Sequence, residues 1–323
     1  MANDVMLDLS TLDGYEDAAK GVNPEILKVF NWNGKQFIMP VGVAARTLGY
    51  RTDFFKEAGI EIADPTKPLT MDQIVDIGKK LLVEKDGKVV RYAWNPNAGE
   101  PWYGLVTSRG GSFFDNFVNP TKVTINTPEG IAGLKDFQRL FDEKVVPPWA
   151  EWEDNQWGAG TLDSLQTGTI AMADIGPWSF ADIRKDNLPI GNMVYPVGAE
   201  GEQSILHSGA NGYGINARSQ HPNEAWTFIK WMLTKDAQLR YAQWSDIPAT
   251  HAAFDEVFKT LQPAALLPSV KAQLDGFRPV LLTDKPDLEK LIKETLRDMS
   301  EGKLTPEEAA EKMETEGNAI LSP

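Results

Sequence analysis

Three stretches place tryptophan beside carboxylates and amides: Trp94-Asn95-Pro96-Asn97, Glu100-Pro101-Trp102 and Glu151-Trp152-Glu153-Asp154-Asn155-Gln156-Trp157. A sugar ring has an apolar face of C–H groups and an equator of hydroxyls. A flat aromatic platform flanked by fixed acceptors and donors therefore holds it well. Tryptophan, at 10 residues, outnumbers tyrosine at 7. The plainer use of each indole is to close the edge of a core, since tryptophan is highly buried on average. Trp226 and Trp231, at helical spacing with Phe228 and Ile229, read as core.

Other chemistries find fewer residues to work with. The absence of cysteine removes disulfides, thiol catalysis and cysteine–zinc sites. His207, His221 and His251 are far apart and form no metal-ligand spacing, so no metal is expected. GANGYG places Gly209, Gly212 and Gly214 in the reverse order of a dinucleotide fingerprint, and it reads as crowded backbone; no cofactor is expected. His207 and Ser208 are neighbours on a strand and point to opposite faces, which excludes a direct catalytic pair. Glu100, Glu151, Glu153 and Asp154 leave a carbohydrate-active hydrolase open as an alternative, but nothing fixes the carboxyl pair about 5 to 9.5 Å apart that glycoside hydrolysis requires.

The elements that must position these residues alternate strand and helix, which argues for an α/β fold. Asn33-Gly34 is a tight-turn pair within 27–40 and marks a hairpin. Thr70-Met71-Asp72-Gln73 has the form of a capping box, and Met71, Ile74, Ile77 and Leu81 recur at helical spacing behind it. Thr127-Pro128-Glu129 opens another helix. Residues 145–160 read as a long irregular stretch too broken for core, 170–173 as a strand, 209–217 as a glycine-rich strand, and 221–244 as one long amphipathic helix. With 323 residues and 42% hydrophobic composition the chain has material for about two domains. Its formal net charge of −14 opposes condensation onto phosphate backbones, so no nucleic-acid partner is expected. No apolar run approaches the roughly 18 residues of a membrane helix, so no direct membrane insertion is expected, and the start MANDVMLDLS has no signal-peptide pattern.

Five segments in register carry a family resemblance: GKQFIMPVGVAARTLGYRTDFFKEAGI, KPLTMDQIVDIGKKL, LQTGTIAMADIGPW, GANGYGINARSQHPNEAWTFIKWMLT and SDIPAT. In this order, across nearly the whole chain, they resemble the extracellular solute-binding proteins of ABC importers, in the maltose-binding-protein-like class. The resemblance implies a two-lobed α/β fold of the type II periplasmic-binding-protein kind, with a ligand cleft between the lobes. It divides the chain into a smaller lobe of 1–53 and 205–248 and a larger lobe of 54–204 and 249–323. The smaller lobe is expected to be incomplete at its N-terminus, because family members open with a further βαβαβ segment.

The implied function is capture of a sugar or oligosaccharide for ABC permease transmembrane subunits, on the periplasmic or extracellular face of the membrane, without catalysis. A binding-deficient fragment is the remaining alternative, and the complete protein is expected to be a monomer. Carried over by position, Trp178 and Asn211 fall at the cleft, and Trp102, Gly111 and Ser112 fall on the larger lobe's cleft loops. Trp157 joins them from the tryptophan-rich stretch. Arg51 stands where the family usually has asparagine; with Arg46 and Arg109 it could select an anionic sugar, or it could make a hinge salt bridge.

Overall fold

The computed structural model describes residues 5–96, 100–154 and 156–322; the side chain of Glu153 is outside the description, as are Asn97 and Asn155. Contacts divide the chain into two units. The first comprises Met1–Ala45, Gly176–Asp186 and Ser208–Leu267, and the second Arg46–Ile175, Asn187–His207 and Pro268–Pro323.

The second unit is built on a five-stranded mixed sheet in the order Val83–Lys85, Lys88–Asn95, Ile170–Ile175, Thr47–Arg51, Ile190–Met193. Ile170–Ile175 is buried at all six positions, so the central strand has apolar cover on both faces and its sequence shows no alternation. It runs parallel to Lys88–Asn95 and antiparallel to Thr47–Arg51. Helix Met71–Leu81 begins at the expected capping box: Thr70 accepts from the Gln73 amide, and Gln73 reaches back to the Thr70 amide. Its Met71, Ile74, Ile77 and Leu81 are all buried in the core. Helices Pro101–Ser108, Pro128–Asp142, Pro286–Ser300 and Pro306–Leu321 supply most of the remaining cover.

The first unit has a three-stranded sheet in which Ile38–Val43 lies between Ala210–Gly214 and Ile247–Pro248, antiparallel to both. The crowding read from GANGYG is visible here, since a Cβ on Gly212 would stand 2.5 Å from the Met39 carbonyl oxygen. The hairpin at Asn33-Gly34 also forms, with both residues at positive φ as its turn requires.

Four expectations are corrected. Strand Thr47–Arg51 is hydrogen-bonded into the second unit's sheet, which puts the first boundary before Arg46 and not after residue 53. Helix His251–Thr260 packs on Ile247–Pro248 and Lys235–Tyr241, so it belongs with the first unit, as does Gly176–Asp186. The supposed loop at 145–160 contains helix Trp149–Glu153, entered through Pro148, with Trp149 and Trp152 buried against Phe141. The long helix at 221–244 is two helices, Pro222–Met232 and Lys235–Tyr241, separated at Leu233-Thr234, and Trp244 lies beyond the second.

Candidate functional site

In the second unit, Trp94, Glu100, Gly104, Tyr195 and His207 line a small pocket with room for about one water molecule. Glu100 precedes helix Pro101–Ser108 with φ of 44°, in the left-handed region that a side chain with a Cβ rarely adopts. Its carboxylate lies 3.4 Å from Lys293 Nζ, which also holds Glu289 at 2.8 Å. Burial raises the Glu100 pKa; Lys293 opposes that rise and Glu289 adds to it. Trp94 is fully buried, and its indole N–H has no acceptor among the described residues. A donor and an acceptor thus line one small cavity.

Behind them, His207 is held neutral, its pKa pushed down to about 4, chiefly by burial. Its Nδ1 lies 2.9 Å from the Pro279 carbonyl, which can only accept, so Nδ1 carries the proton. Thr107 Oγ1 lies 2.9 Å from Nε2. Asp174 is wholly buried on the central strand, and burial pushes its carboxyl up to about 7; Arg46, with Nη1 3.6 Å away, and the Tyr195 hydroxyl offset only part of that.

Most of the residues nominated in this unit are committed elsewhere. Trp102 is 3% exposed, with the rings of Tyr103, Phe137 and Trp149 all centred within 6 Å of its own, so it is core and not a platform. Gly111 allows helix Pro128–Asp142 to approach, since a Cβ there would meet the Gly130 nitrogen at 2.7 Å. Ser112 closes a local turn, its hydroxyl donating to the Phe114 carbonyl at 2.7 Å. Arg51 grips Asp53 with Nε and Nη2 at 2.9 and 2.6 Å, and gives Nη1 to the Leu165 carbonyl. The salt bridge it makes is local, to Asp53 two residues on within the second unit. Arg109 is likewise bound to Asp136 and Glu202. Trp157 is partly exposed; its indole N–H donates to Glu151 at 2.5 Å, and its ring meets Tyr92 edge-on.

In the first unit, Trp178 opens helix Pro177–Lys185 and folds its indole back over Gly176, where a Cβ would lie 2.3 Å from the ring. Only glycine permits this placement, which leaves the indole partly exposed. Asn211 stands on the exposed side of its strand and donates to the buried Asp246 carboxylate. Trp231 is corrected: it is 54% exposed, whereas Trp226 is buried with its N–H on the Asp13 carbonyl. Sequence reading also missed Trp244, which is 73% exposed. The signal for it was present in Trp244-Ser245-Asp246, the same pairing of indole with carboxylate singled out elsewhere. Among the described residues no group of three or more His, Cys, Asp or Glu is placed to hold a metal ion, and no helix is long and apolar enough to cross a membrane.

Comparison with known proteins gives a consistent result. The family signature of bacterial extracellular solute-binding proteins matches residues 1–266. A probable ABC transporter-binding protein of Deinococcus radiodurans is 27% identical over 237 residues, which are 68% of this chain and 52% of that protein. The chain therefore spans about half the length of this relative. The sn-glycerol-3-phosphate-binding periplasmic protein UgpB of Pectobacterium atrosepticum is 23% identical over 90% of this chain and 67% of its own. Among solved structures, the ABC substrate-binding protein Lmo0181 of Listeria monocytogenes, in complex with cycloalternan, superimposes with a TM-score of 0.78 at 23% identity, over 98% of this chain and 80% of that one. The α/β fold expected from the sequence is the fold of these two-lobed binding proteins.

Proposed function

From its membership of the bacterial extracellular solute-binding proteins, the family to which this chain belongs, we infer that it captures a sugar or oligosaccharide for an ABC importer. It works outside the cytoplasmic membrane and hands its cargo to the permease subunits, with no chemistry of its own. The observation that carries the sugar reading is the small pocket, large enough for a single hydroxyl, that the unmatched Trp94 and the Glu100 carboxylate both line. A hydroxyl is donor and acceptor at once, so a sugar can give one hydrogen bond to Glu100 and take another from Trp94. The Trp94 N–H is wholly buried, and a buried polar group left unmatched costs about 1–3 kcal/mol, so the bond a ligand supplies there is worth more than on open surface. Affinity for an anionic sugar has little to support it, since Arg51 and Arg109 already face carboxylates. Hydrolysis has little support either: Glu100 is ion-paired to Lys293, and Glu151 is bound to the Trp157 indole.

Thermal shift with glucose, lactose, maltotriose, glucuronate and sn-glycerol 3-phosphate tests the reading, because a ligand bound only by the native state raises the melting temperature. At least one neutral sugar is expected to do so and to be recovered intact after long incubation. Glu100→Gln is expected to weaken that binding at least tenfold. Release of monosaccharide, or a response to the anions alone, would overturn it.

A further inference from the structure

Strand register gathers a row of buried polar groups on one face of the second unit's sheet. Trp94 pairs with Met172, and side chains two apart share a face, so Asp174 stands on the Trp94 side of strand Ile170–Ile175. Leu48 pairs with both Asp174 and Met193, which carries that face across Thr47–Arg51 to Ile190–Met193. Arg46 and Tyr195, two residues outside Leu48 and Met193, close the row: Arg46 Nη1 lies 3.6 Å from Asp174 Oδ2, and the Tyr195 hydroxyl acts on the same carboxyl. Yet neither Asp174 oxygen accepts a hydrogen bond in good geometry among the described residues, and the Tyr195 hydroxyl and the Trp94 N–H are likewise unmatched. Tyr195 and Trp94 line the water-sized pocket together with Glu100. Asp174 does not, so its effect on an occupant runs through the hydroxyl beside it.

A tyrosine hydroxyl has one proton to give. While Asp174 is a carboxylate it takes that proton, and Tyr195 turns a lone pair to the pocket. A ligand hydroxyl, which also has a single proton, then cannot satisfy both Tyr195 and Glu100. Once Asp174 is protonated, the acid donates to the Tyr195 oxygen and the tyrosine proton turns to the pocket. The ligand hydroxyl then accepts from Tyr195 and Trp94 and gives its own proton to Glu100, so every bond is made.

We propose that Asp174 is a positioning residue that sets the direction in which Tyr195 donates, so that sugar capture in this pocket takes up a proton and weakens as Asp174 ionises. This rests on the sugar-binding reading above. The carboxyl can switch in the neutral range because burial holds it up at about 7 against the opposing pull of Arg46 and Tyr195. The elements packed on its strand also carry Arg51, Lys88, Arg91, Tyr92 and Asp163, and none of these acts on it; nor do Glu100 and His207 at the pocket. A ligand that prefers the protonated form raises the pKa further, so affinity is full below about 7 and falls as pH rises past it.

Calorimetric titration with glucose, lactose and maltotriose from about pH 6 to about pH 8.5, repeated near neutrality in phosphate and in Tris, reads both the affinity and the protons exchanged. The wild type is expected to bind about three- to tenfold more weakly at the alkaline end, the worth of one neutral hydrogen bond, with net proton uptake near neutrality. Asp174→Asn, whose amide donates to Tyr195 at every pH, should keep the low-pH affinity throughout and exchange no protons. Tyr195→Phe should bind weakly at every pH, again without proton uptake. A purely structural role for Asp174 would change the melting temperature of its variant and leave the pH profile in place. The proposal is overturned if wild-type affinity is flat or rises across this range, or if either variant keeps the wild-type profile. Should Asp174→Asn fail to fold, the wild-type profile and Tyr195→Phe decide alone. If the wild type binds none of the three sugars at any pH, the sugar reading falls and this inference with it.

Discussion

Each unit holds five of the ten tryptophans, and they use them in opposite ways. In the second unit Trp94, Trp102, Trp149 and Trp152 are buried, three of them in a continuous aromatic cluster with Phe137 and Phe141. In the first unit only Trp226 is buried, while Trp231 and Trp244 are more than half exposed. Charge divides as unevenly. The first unit has ten Lys and Arg against thirteen Asp and Glu, and the second has twenty-two against thirty-three. One residue type thus serves as structural filler where the sheet is large enough to be covered on both faces. Where a three-stranded sheet offers less interior, the same residue type is left as surface.

Breaking the second unit's cluster should have the largest effect. Trp102→Ala is expected to cost about 3–5 kcal/mol, the usual range for removing a buried aromatic, read as a lower urea midpoint at unchanged slope. Next comes a pair of pH effects, both from the second unit and of opposite sign. His207 has a folded pKa of about 4 against an ordinary 6.5, so the stability it contributes is lost as pH falls from 6.5 towards 4, by about 3 kcal/mol. Asp174, pushed up to about 7, contributes stability that is full below its ordinary pKa near 4 and is lost as pH rises towards 7, by about 4 kcal/mol. In the wild type the two nearly cancel. Melting curves across pH 4 to 7 should therefore tilt one way in His207→Gln, which gains stability on acidification, and the other way in Asp174→Asn, which loses it. Parallel curves for the two variants would mean that these groups are not the buried pair described. The smallest effect belongs to the first unit: Trp231→Ala should move the unfolding free energy by no more than about 0.5 kcal/mol, and a loss above 2 would place its ring in a core after all.

Helix Met71–Leu81 could be read from the chain because its stop and start signals and its single apolar stripe agree. Trp231 could not, because helix Pro222–Met232 carries two apolar rows three residues apart, Trp226, Ile229 and Met232 on one and Phe228 and Trp231 on the other. Periodicity identifies both rows and cannot choose which one meets the sheet. The site behaves similarly. At Trp178 the pair Gly176-Pro177 marks the end of the strand, but the residue lies in the first turn of helix Pro177–Lys185 and not in a loop turn. The committed state of Trp102 and Arg51 depends on Trp149 and Leu165, which lie far away in sequence, and the cavity at Glu100 depends on Tyr195 and His207. Loop composition names candidate residues, and only distant partners decide whether they are free.

Strand Ile38–Val43 is the middle of its sheet, yet both of its neighbours, Ala210–Gly214 and Ile247–Pro248, are encoded far downstream. Synthesis at about 5–20 residues per second leaves this strand without these two partners for on the order of ten to thirty seconds after it is made. Throughout that interval Met39, Val41 and Val43, fully buried in the finished protein, lack the two strands that flank them here. The second unit needs nothing from beyond its own later segments and can begin to condense meanwhile. Assembly of this sheet is therefore a matter of timing, in which strand Ile38–Val43 waits until the ribosome has delivered the residues that flank it.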